Sequence, residues 1–184
     1  SVDETQARTL LAAFVRHLSQ PFGVNWAPFS YKEVFGVDAH DGLDIAVPVG
    51  QPVLAAHDGV VVEQDDTDDK DGLGVSLHDP TQNITTIYWH NSVNKTRIGQ
   101  EIKAGDVIAR SGGTGKVYGP HIHFGLYRGK LPGGILNRDN GYKGAIDPTP
   151  YFSMPVNNPE TMTQEFVTNL YLFYFGRKPD MDEL

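Results

Sequence analysis

The 184-residue chain contains no cysteine. That removes disulfide frameworks, thiol nucleophiles and cysteine-based zinc sites together. It does not fix the compartment, because a chain without thiols survives reducing and oxidising surroundings alike. Positive charge is scarce: 15 Lys and Arg stand against 23 Asp and Glu, a formal net charge of −8. Such a surface repels phosphate backbones and anionic lipid, so neither nucleic acid nor a membrane surface is an expected partner. No apolar run approaches the ~18 residues of a spanning helix, so membrane insertion is not expected. The opening Ser1-Val2-Asp3-Glu4 has neither the basic nor the apolar region of a secretory signal; either export uses no such signal or the signal has gone. H-E-x-x-H and G-x-S-x-G are both missing, which excludes a helical zinc site with a glutamate base and a serine nucleophile elbow.

What is present is ordinary globular text. Hydrophobic residues make up 39% and charged residues 21%, which argues against disorder. The length suits one domain with a short appendage. Residues 3–19 read as a helix, with Leu10, Leu11, Phe14, Val15 and Leu18 on one stripe, and His17 is placed beside that stripe. Residues 20–44 read as loop, dense in aromatics. From position 45 onward, short β-rich runs alternate with turn residues, at 45–47, 52–56, 59–63, 74–78, 84–89, 106–109 and 121–127. That rhythm predicts a mainly β fold, a small antiparallel β-sandwich or barrel-like core, flanked by the N-terminal helix and a C-terminal helix over 159–175. Residues 128–158 read as an irregular excursion. The expected organisation is one domain over 1–155 and a helical segment over 156–184, either docked on the core or opening a second module.

The acidic stretch 63–71 (EQDDTDDKD) reads as a solvated hairpin loop. A calcium loop fits it poorly, because aligning Gly72 with the required glycine puts Thr67 at the first ligand position and His78 where a bidentate Glu belongs.

Four histidines and one aspartate stand apart. His40 and Asp44 form an i, i+4 pair in H-D-G-L-D, with Asp44 opening a strand. In His121-Ile122-His123 strand alternation turns both histidines to one side, and it does the same for Tyr88 and His90. Two neutral imidazoles and a carboxylate make a normal catalytic zinc set that leaves a position open. A neighbouring histidine can take a proton from water or give one to a leaving amine. One H-x-H in a β protein is commonly coincidence; the signal gains strength when both motifs occur in order with a third strand-borne histidine and a glycine-rich frame between them. His57 and His78 match no such position and read as surface residues in turns. Tyr88, Trp89 and Tyr118 either line a groove or, the better reading for each, pack at the core or its boundary.

The text H40-D-G-L-D-I-A-V-P-V-G, T86-I-Y-W-H90, I98-G-Q-E-I-K-A-G-D-V-I-A-R-S-G-G-T-G and G119-P-H-I-H-F-G resembles the lysostaphin/LytM-type zinc metallopeptidases over about Phe35 to Tyr127. The resemblance implies one zinc ion held by His40, Asp44 and His123. It implies that His90 and His121 are catalytic, polarising the water and stabilising the tetrahedral intermediate. It also implies a peptidoglycan peptide as substrate, cut in a cross-bridge or a stem, by an endopeptidase with a metal at the floor of a groove. Action at the bacterial wall places such a protein outside the cell, in the periplasm or on a phage, as a monomer or part of a larger chain or assembly. Gly112, Gly113, Gly115 and Gly119 keep the loop before His121 small enough for an extended peptide to approach. Asp41 is either a partner to a ligand histidine or a solvent-facing loop residue. Gly125 departs from the family pattern, which usually has an acidic residue there. The rival expectation is a non-catalytic peptidoglycan-binding or structural module on the same scaffold; a purely structural zinc site would instead show four protein ligands.

Overall fold

The computed structural model describes residues 18–152. The helix expected at 159–175, residues 156–184, and most of the helix expected at 3–19, with His17, lie outside the described residues. Where that first helix enters them, its last two residues are instead strand: β1 (Leu18–Gln20).

After β1 come α1 (Tyr31–Val34), β2 (Leu43–Ala46), β3 (Pro52–Leu54), β4 (Gly59–Asp65), β5 (Leu73–Asp79) and β6 (Ile84–Asn94). There follow β7 (Glu101–Ile102), β8 (Val107–Ser111), β9 (His121–Lys130), β10 (Gly134–Ile135), β11 (Ala145–Ile146) and α2 (Thr149–Phe152). The architecture is mainly β, and every pairing is antiparallel. The main path runs β1-β2-β9-β6-β5-β4-β7, with β8 bridging β3 to β6 and with β10 and β11 added to β9. The irregular excursion therefore carries two short strands and a helical turn.

Alternation sorts the side chains into two faces. Leu43 and Ile45 of β2, Ile122 and Phe124 of β9, Tyr88 of β6 and Leu77 of β5 are all 1% exposed or less and pack together beneath the sheet. Val53, Ile108 and Ala109, from β3 and β8, close that core from the other side. The residues between them, Asp44, His121, His123, Gly125, Ile87 and Trp89, turn to the opposite face. β2 meets β9 with Asp44 opposite His123, and β9 meets β6 with His123 opposite Trp89. Residues far apart in sequence thus arrive in one row.

His57 and His78 are not surface residues; they are 6% and 8% exposed. His78 lies inside β5, which has β4 on one side and β6 on the other, and its Nδ1 is 3.1 Å from Thr85 Oγ1. His57 places Nδ1 2.8 Å from the Asp58 carbonyl and Nε2 2.9 Å from Thr86 Oγ1. Both of its ring nitrogens have partners, so it can be buried as a neutral imidazole.

Candidate metal centre and groove

The His40-Asp41-Gly42 turn is shaped by what crosses it. A Cβ on Gly42 would lie 2.6 Å from the Phe124 carbonyl and 2.7 Å from His123 Nε2. The segment can pass between His40 and Asp44 only because that position has no side chain. As a result three polar atoms converge: His40 Nε2 is 2.9 Å from Asp44 Oδ1 and 3.0 Å from His123 Nδ1, and His123 Nδ1 is 3.1 Å from Asp44 Oδ1. His40 is 1% exposed and His123 9%.

The tautomers follow from the outer contacts. His40 Nδ1 sits 3.0 Å from the Pro21 carbonyl, which can only accept, so Nδ1 carries the proton and Nε2 is a bare lone pair. His123 turns Nε2 toward Asp41, 3.7 Å away, which favours its proton on that nitrogen and a lone pair on Nδ1. Two imidazole lone pairs and a carboxylate oxygen then face one another, an arrangement that a cation stabilises. Donor atoms of a tetrahedral zinc shell stand about 3.3 Å apart, given bond lengths of about 2.0–2.1 Å. The residues present therefore fit such an ion, and His40, Asp44 and His123 are the one set among the described residues with three ligand atoms within 4.8 Å of one another.

When protons rather than a cation fill the space between these atoms, burial raises the Asp44 carboxyl, but the bonds and charge that His123 and His40 direct at it outweigh that and hold it well below the usual carboxylate range. In that protonated form burial pulls His123 down, while the Asp44 bond and the charges of Asp41 and Asp44 carry it above its ordinary value. Behind His40, burial first and Asp44 second push the Tyr31 phenol up to about 12. Tyr31 is thus a neutral phenol, its Oη accepting from Gln20 Nε2 at 2.5 Å.

Two further histidines stand beside this set. His121 Nδ1 donates to the Gly119 carbonyl at 2.8 Å and turns Nε2 toward Asp44 Oδ1, 3.5 Å away. His90 Nδ1 donates to the Thr114 carbonyl at 2.9 Å. The His90 and His121 rings lie 4.7 Å apart. Burial, then the neighbouring His121 and His123, lowers the His90 pKa to about 3; burial also lowers that of His121. Both are neutral near pH 7, with Nε2 able to accept a proton.

His90 does not share a face with Tyr88. Tyr88 is buried in the core and accepts the Ala56 N–H at 2.8 Å, and strict alternation would put His90 beside it. A positive φ of 66° at His90 breaks the alternation and turns the ring to the other face. Of the aromatics, Trp89 is half-buried on the groove face, and Tyr118, 72% exposed, lines the groove rather than packing at the core or its boundary.

These groups line a groove of about 750 Å³. Three of its lining residues contact one another: Phe29 stacks on Tyr118 at 6.1 Å, and Lys116 Nζ lies 4.7 Å from the centre of the Phe29 ring. At Gly125 a Cβ would lie 2.7 Å from Ile87 Cγ1. Ile87 therefore fills the space that a side chain at 125 would take. In the acidic stretch, Asp65, Asp68 and Asp69 each accept from a backbone N–H, those of Thr67, Gly115 and Asp71. The bonds of Asp65 and Asp69 close local turns, and that of Asp68 ties the stretch to the loop at Gly115.

Residues 38–135 match the family described as peptidase family M23. The chain belongs to that family. It is 38% identical over 101 residues to the peptidoglycan DD-endopeptidase ShyC of Vibrio cholerae, covering 54% of this chain and 23% of that protein. It is 36% identical over 121 residues to the glycyl-glycine endopeptidase ALE-1 of Staphylococcus capitis, covering 60% of this chain and 33% of that one. The catalytic domain of the antimicrobial peptidase lysostaphin from Staphylococcus simulans superposes with a TM-score of 0.59 at 25% identity, over 78% of this chain and 98% of that domain. This M23 chain thus spans about a quarter to a third of the length of those two curated relatives.

Proposed function

We propose that the chain is a zinc-dependent endopeptidase that hydrolyses peptide bonds in bacterial peptidoglycan. His40, Asp44 and His123 would hold one zinc ion, and His90 and His121 would be the proton-carrying groups. The observation that carries this reading is the convergence of three lone-pair atoms within 3.1 Å beside two neutral imidazoles whose Nε2 atoms are unspent.

When bound, zinc supplies Lewis acidity toward the attacking water and the amide carbonyl. The chain supplies the rest. His40 and His123 would bind through neutral nitrogens, the His40 tautomer set by the Pro21 carbonyl and that of His123 favoured by the nearby Asp41 charge. Asp44 adds a single negative charge, so the set leaves a divalent ion with net positive charge. As water adds to the carbonyl carbon, an Nε2 of the His90–His121 pair takes its proton. As the C–N bond breaks, that proton passes to the leaving amine, giving a carboxylate and a free amino terminus. The second imidazole orients the water and hydrogen-bonds the oxygen that gains charge. Partial burial of both rings keeps them from being protonated before substrate arrives.

The relatives named above cut either a DD bond or a glycyl-glycine bond; for this chain the substrate class is cell-wall peptide. The site of action would accordingly be outside the cell, in the periplasm or on a phage particle. Zinc content by plasma mass spectrometry, with mass spectrometry of digested muropeptides, tests the reading. One zinc per chain with new amino termini is expected. Full zinc with intact muropeptides would overturn it in favour of a binding module.

A further inference from the structure

His90 reaches the groove only through one left-handed residue, and that conformation is held from three directions. Asn91, wholly buried, donates its Nδ2 back across the kink to the Tyr88 carbonyl at 2.9 Å and to Asn94 Oδ1 at 3.0 Å. The ladder between β5 and β6 slips at this point, pairing Leu73 with Asn91 but Gly74 with Trp89. Thr114 occupies the slip: its Oγ1 donates to the Asn91 carbonyl at 2.7 Å and accepts the Leu73 N–H at 3.0 Å. The carbonyl of the same residue receives His90 Nδ1–H at 2.9 Å. One residue therefore holds the kink with its side chain and the imidazole with its main chain.

We infer that Thr114 is a positioning residue for His90. Its hydroxyl, anchored to Leu73 and Asn91, fixes the direction of the carbonyl that takes the Nδ1 proton, and so keeps Nε2 as a lone pair aimed into the groove. The alternative is a simple loop staple. Against it, the loop has other fastenings: Gly115 N–H donates to Asp68 Oδ1 at 2.8 Å and Lys116 N–H to the Lys70 carbonyl at 2.9 Å. Removing the hydroxyl frees the carbonyl to rotate while the loop stays attached. The inference rests on the reading of His90 as a proton carrier.

The test compares zinc-loaded wild type with Thr114→Val, which keeps the shape and removes the hydroxyl, and Thr114→Ser, which keeps the hydroxyl. In the valine variant kcat on muropeptide substrate should fall about 10- to 100-fold, less than the ~10²–10⁴ supplied by the acid or base itself. KM and zinc content should stay near wild type, and serine should restore kcat. Nitrogen-15 NMR of the His90 ring should show Nδ1 protonated in the wild type and serine proteins, and a mixture of tautomers in the valine protein. An unchanged rate in Thr114→Val, a serine variant as slow as valine, or a slow valine variant with the Nδ1–H tautomer intact would each overturn the inference. If the wild type fails to cleave while the tautomer still shifts in valine and returns in serine, the positioning stands and the peptidase reading falls.

Discussion

Among the described residues, histidines are wholly or partly buried on both faces of the sheet, and they differ in how their nitrogens are used. His57, under the sheet, has a partner for each ring nitrogen within 2.9 Å. Nothing is left over, and burial merely favours its neutral form. On the other face, His40, His90 and His121 each commit one nitrogen to a main-chain carbonyl. Their second nitrogens, with His123 Nδ1, turn toward the acidic floor of the groove or its open space. Burial alone therefore does not mark a site. An imidazole lone pair held in a defined direction and left unspent does.

The sharpest way to break that contrast is Asp44→Ala. It should take zinc from one per chain to near zero and activity to the level of chelator-treated protein, with added zinc rescuing the stripped wild type but not the variant; metal analysis before and after chelation reads this. His90→Ala or His121→Ala should keep zinc and lose about 10²–10⁴ in kcat. Equal zinc loss in all these variants would erase the division between holding the ion and carrying protons. Gly42→Ala forces a methyl against the Phe124 carbonyl and His123 and should cost about 1–3 kcal/mol by overpacking, seen as a lower melting temperature together with weaker zinc retention.

The other histidine group gives the smallest effect. His57→Leu should leave zinc and kcat alone and cost about 1–3 kcal/mol, by removing the ring partners of the Asp58 carbonyl and of Thr86 Oγ1, which keeps only its bond to Tyr88 Oη. Its pH dependence has a definite sign. Burial, the largest cause, depresses the folded His57 pKa, while the unfolded value is about 6.5. Above about 6.5 both states are neutral. Below it the unfolded chain takes up a proton that the folded chain refuses, so wild-type stability falls as pH drops toward the folded pKa. The leucine variant lacks that loss, so urea midpoints of the two proteins should draw together between about pH 7.5 and 5.5. A constant gap would show that His57 does not titrate in this way.

Much of the layout was legible in residue order. The β rhythm from 45 to 127 became the sheet, and alternation placed His121 and His123 on one face with Ile122 in the core. The same rule failed at His90 because one positive φ cancels a period of two. The cues were indirect: an asparagine directly after it and a threonine within the Gly112–Gly115 frame, whose partners come from other strands. His57 and His78 were misread because turn-like neighbours such as Asp58-Gly59 and Asp79-Pro80 say nothing about which strands will lie on either side. Tyr118 went the other way: an aromatic in a glycine-rich loop has no neighbouring strand to cover it. The proximity of His40 to His123 was visible only as a resemblance, since no local pattern links residues 83 positions apart.

That separation has a mechanical consequence. β2 touches the body of the sheet through a single neighbour, β9, and among the described residues beyond it lies only the three-residue β1. An ion shared by His40, Asp44 and His123 would rivet this hem to the centre of the fabric, closing a long loop that the unliganded chain must close with strand pairing and core packing alone. Stripping the ion should therefore let the border around β1 and β2 fray first, opening it to proteases while the middle strands hold.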